Sequence, residues 1–225
     1  MKLVIISDTH SLHNNMINPV PDGDVLIHCG DVCNRGTTKD FLDFLDWFSK
    51  FPHETKIFIG GNHDFALHNK PDEVKHALAN LELSGTDIHY LEDSGLTIQV
   101  GDEEPINFWG TPWTPEFYNW AFMKKRGEEM AEVWAKVPDN THVLITHGPP
   151  MTRTFVDYAV YDSINVGCEE QAKRIDELKD LKVNCFGHIH EGYGMTENAT
   201  GVYLINASVC TLRYYPWNKP VEIEI

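Results

Sequence analysis

Five short blocks of Asp, Asn and His residues stand out along this 225-residue sequence. They are Asp8-Thr9-His10, Gly30-Asp31, Gly60-Gly61-Asn62-His63-Asp64, Thr146-His147-Gly148 and Gly187-His188-Ile189-His190. Carboxylate, imidazole and amide groups are donors that suit transition metals, and one carboxylate can bridge two metals. The blocks therefore predict a site for two adjacent divalent metal ions.

Each block follows a short apolar run that is typical of a buried β-strand. These runs cover residues 3–6, 25–27, 56–59, 143–145 and 183–186. Because ligands gather at the carboxyl ends of strands in open α/β sheets, parallel neighbours would bring the blocks to one rim. The glycines beside the blocks would allow tight turns and close backbone approach.

The segments between these runs predict the remaining architecture. Helical patterns cover residues 37–51, 72–81, 124–135 and 169–181. Short strands are predicted at residues 88–109, where antiparallel pairing is expected, and at 203–205 and 221–225. Together the pattern predicts an α/β fold, two mixed β-sheets packed face to face and flanked by helices, in one domain over residues 1–225.

Composition limits the partners of such a site. The formal net charge is −16, from 18 Lys and Arg against 34 Asp and Glu, which would repel a nucleic-acid backbone or an anionic membrane. No apolar stretch approaches the roughly 20 residues that span a bilayer. The 5 cysteines contain no CxxC pair, so reduced thiols in a cytoplasmic protein without a signal peptide are expected. A small anionic substrate would find its positive charge in bound metals.

The ordered motifs DxH, GD, GNHD, THG and GHxH resemble those of the calcineurin-like metallophosphoesterase superfamily, over residues 8–190. The resemblance implies a four-layer α/β/β/α sandwich, the metallophosphoesterase fold, with two metals bridged by Asp31. It implies a first metal held by Asp8, His10, Asp31 and His190, and a second held by Asp31, Asn62, His147 and His188. A hydroxide between the metals is then expected to attack phosphorus in line.

Two further residues of the third block have implied catalytic roles. His63 resembles the histidine that faces the leaving-group oxygen, as a general acid or a charge stabiliser. Asp64 is expected to orient His63 by accepting its other N–H.

Three residues are candidate substrate contacts. Arg35 lies in a segment that resembles the GDxxDRG block of serine/threonine phosphoprotein phosphatases, where the Arg grips phosphate, although Asn34 replaces the Asp. It could equally be a solvated loop charge. His13 is close enough to the first block to reach a substrate, but could be a surface or core residue. Trp113 belongs to the aromatic loop at 110–120, which is either a wall on which a nucleobase stacks or a hydrophobic cluster over a sheet edge.

A second resemblance covers nearly the whole chain. Its motifs include Thr111-Pro112-Trp113, Trp120-Ala121-Phe122, Thr146-His147-Gly148-Pro149-Pro150 and Ile205-Asn206-Ala207-Ser208. They are similar to the metallophosphoesterase-domain-containing branch, small proteins associated with cyclic-nucleotide phosphodiesterase activity. Some members have Gly at the position of His188, so its presence here implies a complete binuclear site.

The resulting expectation is a metal-dependent phosphodiesterase for small phosphodiesters such as cyclic nucleotides. Mn²⁺ is favoured in vitro because mixed oxygen and nitrogen donors suit it, while Fe, Zn, Ni and Mg stay compatible. A phosphomonoesterase or protein phosphatase, supported by Arg35, is the first alternative. A nuclease is disfavoured by the acidic charge. A nucleotide-binding regulatory module with slow turnover is the alternative from another class, and the oligomeric state stays open.

Overall fold

A computed structural model describes residues 1–83 and 85–225 of the chain. The strands are β1 (Lys2–Ile6), β2 (Val25–His28), β3 (Thr55–Phe58), β4 (Ile88–Tyr90), β5 (Ser94–Ile98), β6 (Ile106–Thr111), β7 (Thr114–Pro115), β8 (Met123–Lys124), β9 (Val143–Thr146), β10 (Tyr158–Ala159), β11 (Ile164–Asn165), β12 (Val183–Phe186), β13 (Gly194–Glu197), β14 (Tyr203–Asn206) and β15 (Val221–Glu224). The α-helices are α1 (Thr38–Ser49), α2 (Phe65–Asn69), α3 (Pro71–Leu83), α4 (Glu128–Trp134) and α5 (Glu169–Glu177). Short 3₁₀ helices occur at His13–Asn15, Phe155–Asp157 and His190–Gly192.

Two large sheets form the centre of the fold. The first has the strand order β15-β1-β2-β3-β4, in which β1 to β4 are parallel and β15 is antiparallel. The second has the order β13-β14-β12-β9-β6-β5, with parallel central strands and antiparallel strands at both edges. Both sheets are therefore mixed, as predicted.

Side chains of β1 alternate between two hydrophobic cores, as the period of two in a strand requires. Leu3 and Ile5 lie in the core between the sheets, which also contains Ile145 of β9. Val4 and Ile6 lie in a second core with Phe44 of α1. The first sheet is thus covered by the second sheet on one face and by helices on the other.

The second sheet has its own helical layer. Leu144 of β9 shares a third core with Trp134 of α4 and Ile175 of α5. Helices, sheet, sheet and helices therefore follow one another in four layers. The predicted fold class is confirmed.

The helix predicted over residues 37–51 is confirmed as α1, and Thr37 caps its first turn. Thr37 accepts a hydrogen bond from the Asp40 backbone N–H at 3.1 Å, and the Asp40 carboxylate accepts one from the Thr37 N–H at 3.4 Å. This reciprocal pair satisfies two amides that the first turn leaves open. The helix therefore begins at Thr38.

Two predicted elements are corrected. The helix predicted from residue 124 begins at Glu128, because Met123 and Lys124 pair with β7 and Gly127 precedes the helix with φ of 82°. Strand β4 pairs with β3 in parallel rather than antiparallel, since α2 and α3 form the crossover between them. Only β5 and β6 of the 88–109 segment form the expected antiparallel pair.

The helices of the described chain include none that is long and apolar enough to cross a membrane.

Candidate active site

The five blocks meet at one rim of the molecule, as predicted. Each lies beyond the carboxyl end of a parallel strand: β1, β2 and β3 in the first sheet, and β9 and β12 in the second. A bridge between Ser7 and Ser208 joins the first sheet to the second at this rim. Among the residues that the structure describes, donor atoms within 4.8 Å of one another form three groups: Asp8, His10 and His190; His10, Asp31 and His63; Asp8, Asp31 and His147.

The donors expected for a first metal surround one point. Nε2 of His10 lies 3.0 Å from Nε2 of His190 and 3.9 Å from Oδ1 of Asp8. The His190 nitrogen lies 3.5 Å from the same Asp8 oxygen, and Oδ2 of Asp31 lies 3.7 Å from His10. Neighbouring donors on a metal with bonds of about 2.1 Å lie about 3 Å apart. These side chains therefore fit a divalent metal.

The donors expected for a second metal lie beside the first set. Nε2 of His147 lies 2.9 Å from Oδ1 of Asn62 and 3.4 Å from Oδ1 of Asp31. The ring of His188 lies next to that of His147, with 5.0 Å between centroids, and lines the cavity described below. The two Asp31 oxygens thus face different donor sets, which suits the predicted shared ligand.

Backbone carbonyls select the tautomers of two candidate ligands. Nδ1 of His147 contacts the Cys29 carbonyl at 2.9 Å, and Nδ1 of His190 contacts the Thr211 carbonyl at 3.1 Å. A carbonyl can only accept, so each Nδ1 carries a proton, and once Nε2 is deprotonated its lone pair is free for a metal. Sequence reasoning could not find these carbonyls, because any residue type provides one.

Asp8 is oriented by neighbours on the opposite sheet. Ser208 Oγ donates to its Oδ2 at 2.6 Å, and the His188 backbone N–H donates to the same oxygen at 3.0 Å. Burial alone would raise the pKa of this carboxyl, but a hydrogen bond and the charge of His190 hold it well below its usual range. Asp8 is therefore an anionic donor.

Asp31 and His147 behave as an ion pair. Burial opposes charge on both groups, yet each stabilises the other. The pKa of Asp31 is lowered, and Asp31 raises the pKa of His147 to about 9. A metal that binds His147 would therefore displace a proton.

Two other candidate ligands, His10 and His188, have imidazoles with a lowered pKa, which favours their neutral form. Burial lowers the pKa of His10 to about 4 and that of His188 to about 3. Neutral imidazoles beside anionic carboxylates are the protonation states that metal binding needs.

Four candidate ligands have an unusual backbone conformation. Asp8, His10, Asp31 and His188 have φ of 56°, 44°, 54° and 67°, in the left-handed region. Each such residue costs on the order of 1–3 kcal/mol and persists where surrounding structure enforces it. The strand-end turns are therefore bent to aim these side chains inward.

Gly187 must be glycine because the Asp8 side chain occupies the space a Cβ would need. A Cβ built there overlaps the Asp8 carboxylate and the Ser7 side chain. Gly61 has the same relation to Asp31. The predicted role of these glycines in close approach agrees with this geometry.

Replacing Gly187 by Ala is expected to weaken metal affinity by about 10- to 100-fold, as loss of a ligand's supporting contact does. The methyl group would displace Asp8 from its position beside His10 and His190. Calorimetric titration with Mn²⁺ measures the change. Lys75→Ala is the control, because Lys75 is exposed on α3. Equal Mn²⁺ affinity in both variants would contradict the prediction.

The predicted role of Asp64 is wrong. Its buried carboxylate accepts three backbone N–H groups, from Val32 at 3.2 Å, Cys33 at 2.8 Å and Gly61 at 2.8 Å. Nδ1 of His63 instead donates to the Asn34 carbonyl at 2.8 Å. Asp64 ties the second block to the third, and Asn34 holds the imidazole.

His63 lies between two rings. Trp120 stacks on it with centroids 4.5 Å apart and 27° between planes. His10 approaches at 4.7 Å with 77° between planes. Sequence reasoning placed Trp120 in the aromatic loop but did not connect it with His63.

A cavity of about 590 Å³ opens over the donor sets. Besides the candidate ligands and His63, its walls include Glu116, Phe117, Tyr118, Trp120, Arg126, Asp162 and Tyr214. Residues of the aromatic loop from Pro115 to Trp120 therefore line this cavity, and the stacking of a nucleobase on them stays a prediction.

The structure places all three predicted substrate contacts outside the cavity lining. His13 is buried against α1, with Nε2 3.5 Å from Asp43, because the 3₁₀ turn that it begins directs it there. Trp113 packs on Phe122, at 5.6 Å between centroids, at the edge of the second core, between the first sheet and its helices. Arg35 is an exposed loop residue. The substrate-contact interpretation is corrected for His13 and Trp113, whereas for Arg35 it stays a prediction.

Comparison with known proteins adds independent findings. The sequence profile of the calcineurin-like phosphoesterases matches residues 1–192. Human metallophosphoesterase domain-containing protein 1 is 35% identical over 240 residues, covering 100% of this chain and 71% of the human protein. A Caenorhabditis elegans UPF0046 protein is 33% identical over 232 residues, covering 100% of this chain and 75% of its own.

Solved structures agree on the fold. The crystal structure of phosphopantetheinyl hydrolase from Mycobacterium tuberculosis superposes with a TM-score of 0.62 at 19% identity, covering 98% of this chain and 95% of that one. A second, TT1561 of Thermus thermophilus, gives a TM-score of 0.63 at 12% identity, with 91% and 88% covered. At these identities the similarity shows the fold alone.

Proposed function

Because this chain belongs to the calcineurin-like phosphoesterase family of metal-dependent phosphoric ester hydrolases, we propose that it hydrolyses small phosphodiesters, with cyclic nucleotides as the first class to test. One observation carries the proposal. The carboxylate of Asp31 lies between two sets of metal donors, at the floor of a cavity that also contains His63.

The donor sets fit two divalent metals. Asp8, His10 and His190 would hold one, Asn62, His147 and His188 the other, and Asp31 both. When bound, such metals supply Lewis acidity toward a phosphoryl oxygen and acidify water. Mn²⁺ is the proposed metal in vitro, because mixed oxygen and nitrogen donors suit it.

His63 is the proposed proton donor to the leaving group. Its Nδ1–H is donated to the Asn34 carbonyl at 2.8 Å, which leaves Nε2 for the substrate. The ring is half-buried at the cavity wall. In the doubly protonated ring, Nε2 would give its proton to the departing oxygen as the phosphorus–oxygen bond breaks.

The charge of the cavity favours a diester over a monoester. Glu116 and Asp162 contribute carboxylates to its walls. Arg126 is the single Lys or Arg lining it in the described part of the chain, and its guanidinium is already bound to Glu169 at 2.6 Å and to the Gly167 carbonyl at 2.8 Å. A monoester carries up to two negative charges and a diester one. The acidic walls therefore repel a diester less than they repel a monoester.

The aromatic wall supports a nucleotide as the organic part. Phe117, Tyr118 and Trp120 line the cavity, and 37%, 85% and 36% of their surface is exposed to solvent. Flat side chains with exposed faces stack on bases of any type. A cyclic nucleotide combines such a base with a singly charged diester.

The test begins with purified protein stripped of metal and reloaded separately with Mn²⁺, Ni²⁺, Fe²⁺, Mg²⁺ or Zn²⁺. We expect turnover of bis-p-nitrophenyl phosphate to exceed that of p-nitrophenyl phosphate, and 3′,5′- or 2′,3′-cyclic nucleotides to be hydrolysed. Preference for the monoester would overturn the diesterase assignment. Tight nucleotide binding without turnover would favour a regulatory module instead.

Replacing Glu116 by Gln or Asp162 by Asn is expected to raise activity on p-nitrophenyl phosphate relative to the diester by up to about fivefold each, the range of a single exposed charge interaction. The gain should shrink at high salt, since exposed charges are screened. Ratios of kcat/KM at two ionic strengths measure it. Glu132→Gln, an exposed change on α4, is the control. Equal ratios in all variants would contradict the proposal that the wall carboxylates disfavour a monoester.

A further inference from the structure

The stacking of Trp120 on His63 has a structural basis in the loop that follows the aromatic wall. The Ala121 backbone N–H donates to the Asn62 carbonyl at 3.0 Å. Phe122, the next residue, is fully buried and approaches His68 of α2 at 4.8 Å between centroids. These contacts fix the backbone that carries Trp120, so its indole is held against the GNHD block.

His63 has few other restraints. Its Nδ1 is fixed by the Asn34 carbonyl, and one edge contacts His10. The indole of Trp120 covers a face of the ring at a nearly parallel 27°. Without that indole the half-buried imidazole could swing into the cavity. Since a misplacement of about 1 Å can reduce catalysis on the order of 10²-fold, this restraint matters for any proton transfer.

We propose that Trp120 is a positioning residue, which holds the His63 imidazole so that Nε2 points at the leaving-group oxygen. The inference rests on the proposed phosphodiesterase function. In the step concerned, a water oxygen bonds to phosphorus and loses a proton to solvent. The ester bond breaks with its electron pair going to the leaving oxygen, which takes the proton from His63 Nε2.

The experiment compares aryl methyl phosphodiesters with good and poor leaving groups, p-nitrophenolate and phenolate, on the Mn²⁺-loaded protein. A poor leaving group needs the proton more. Trp120→Ala is therefore expected to lower kcat with the phenyl ester by about 10- to 100-fold, less than complete loss of an acid, and to affect the p-nitrophenyl ester much less. Trp120→Phe, which keeps a flat ring, should restore most of the rate.

A double-mutant cycle separates positioning from other roles. If Trp120 acts through His63, adding Trp120→Ala to His63→Ala should cause no further loss of kcat. Tyr118→Ala is the matched control, because Tyr118 lies on the same wall but contacts Phe117, at 6.0 Å between centroids. It should change KM equally for both esters.

Several outcomes would overturn the proposal. Equal losses with both leaving groups, or an undiminished Trp120→Ala effect in the His63→Ala background, would make Trp120 a substrate wall or a purely structural residue. No turnover of any diester by the wild-type protein would refute the proposed function, and this inference with it. Circular dichroism and metal content check each variant. If Trp120→Ala unfolds, Trp120→Leu, bulky but not flat, replaces it.

Discussion

Asp31→Asn is expected to abolish nearly all phosphodiester hydrolysis, with a loss on the order of 10³-fold or more. The carboxylate lies 3.4 Å from Nε2 of His147 and 3.7 Å from Nε2 of His10, so it contributes to both donor sets. Asparagine removes the shared negative charge and one oxygen. Lewis-acid stabilisation of the transition state contributes several kcal/mol, and each tenfold change in rate corresponds to about 1.4 kcal/mol. Loss of this stabilisation therefore lowers the rate on the order of 10³-fold.

The substitution is chosen to preserve the fold. Oδ1 of Asp31 accepts the His63 backbone N–H at 2.8 Å, and an asparagine carbonyl can keep this hydrogen bond. Metal content by mass spectrometry should fall below two ions per chain while the circular dichroism spectrum stays unchanged. Asp43→Asn, which removes an exposed carboxylate on α1, should keep both ions and full activity. Two tightly bound ions in Asp31→Asn would refute the shared-ligand assignment.

The sequence was sufficient to bring the donor blocks together because their position depends on strand order alone. A residue that follows a buried parallel strand must lie at the carboxyl rim, whatever its rotamer. Asp8 and His190 are separated by most of the chain, yet Nε2 of His190 lies 3.5 Å from an Asp8 oxygen. This part of the site could be predicted from motifs and apolar runs.

Side-chain direction within the blocks could not be predicted in the same way. Asp64 follows His63 directly, but its carboxylate accepts the backbone N–H groups of Val32 and Cys33, which follow the second block. His13 is three residues from His10, yet faces α1. These directions depend on left-handed turns, such as that at His10 with φ of 44°, which non-glycine residues rarely adopt and no pattern of residue types specifies.

Pairing between short strands also limited what could be predicted from the sequence. The apolar spacing of residues 124–135 predicts a helix, but Met123 and Lys124 pair with β7. The ammonium of Lys124 also lies 4.7 Å from the centre of the Trp113 ring. Such contacts are made by residues distant from the helix and override its weak local preference.

Metal ligation and proton donation are two roles that the position of His63 allows. One of its nitrogens lies within 4.8 Å of donor atoms on His10 and Asp31, so proximity alone would allow metal ligation. Its Nδ1, however, is bound to the Asn34 carbonyl, and its ring is stacked on Trp120. A proton donor should leave metal content unchanged when removed, whereas a ligand should not.

We therefore expect His63→Ala to keep two metal ions per chain and to lower kcat by about 10²–10⁴-fold, the usual contribution of general acid–base catalysis. The loss should be greatest with phenyl esters and smallest with p-nitrophenyl esters, because the better leaving group departs without a proton. His76→Ala, an exposed change on α3, is the matched control and should alter neither quantity. Loss of a metal ion together with equal rate reductions for both esters would instead identify His63 as a ligand.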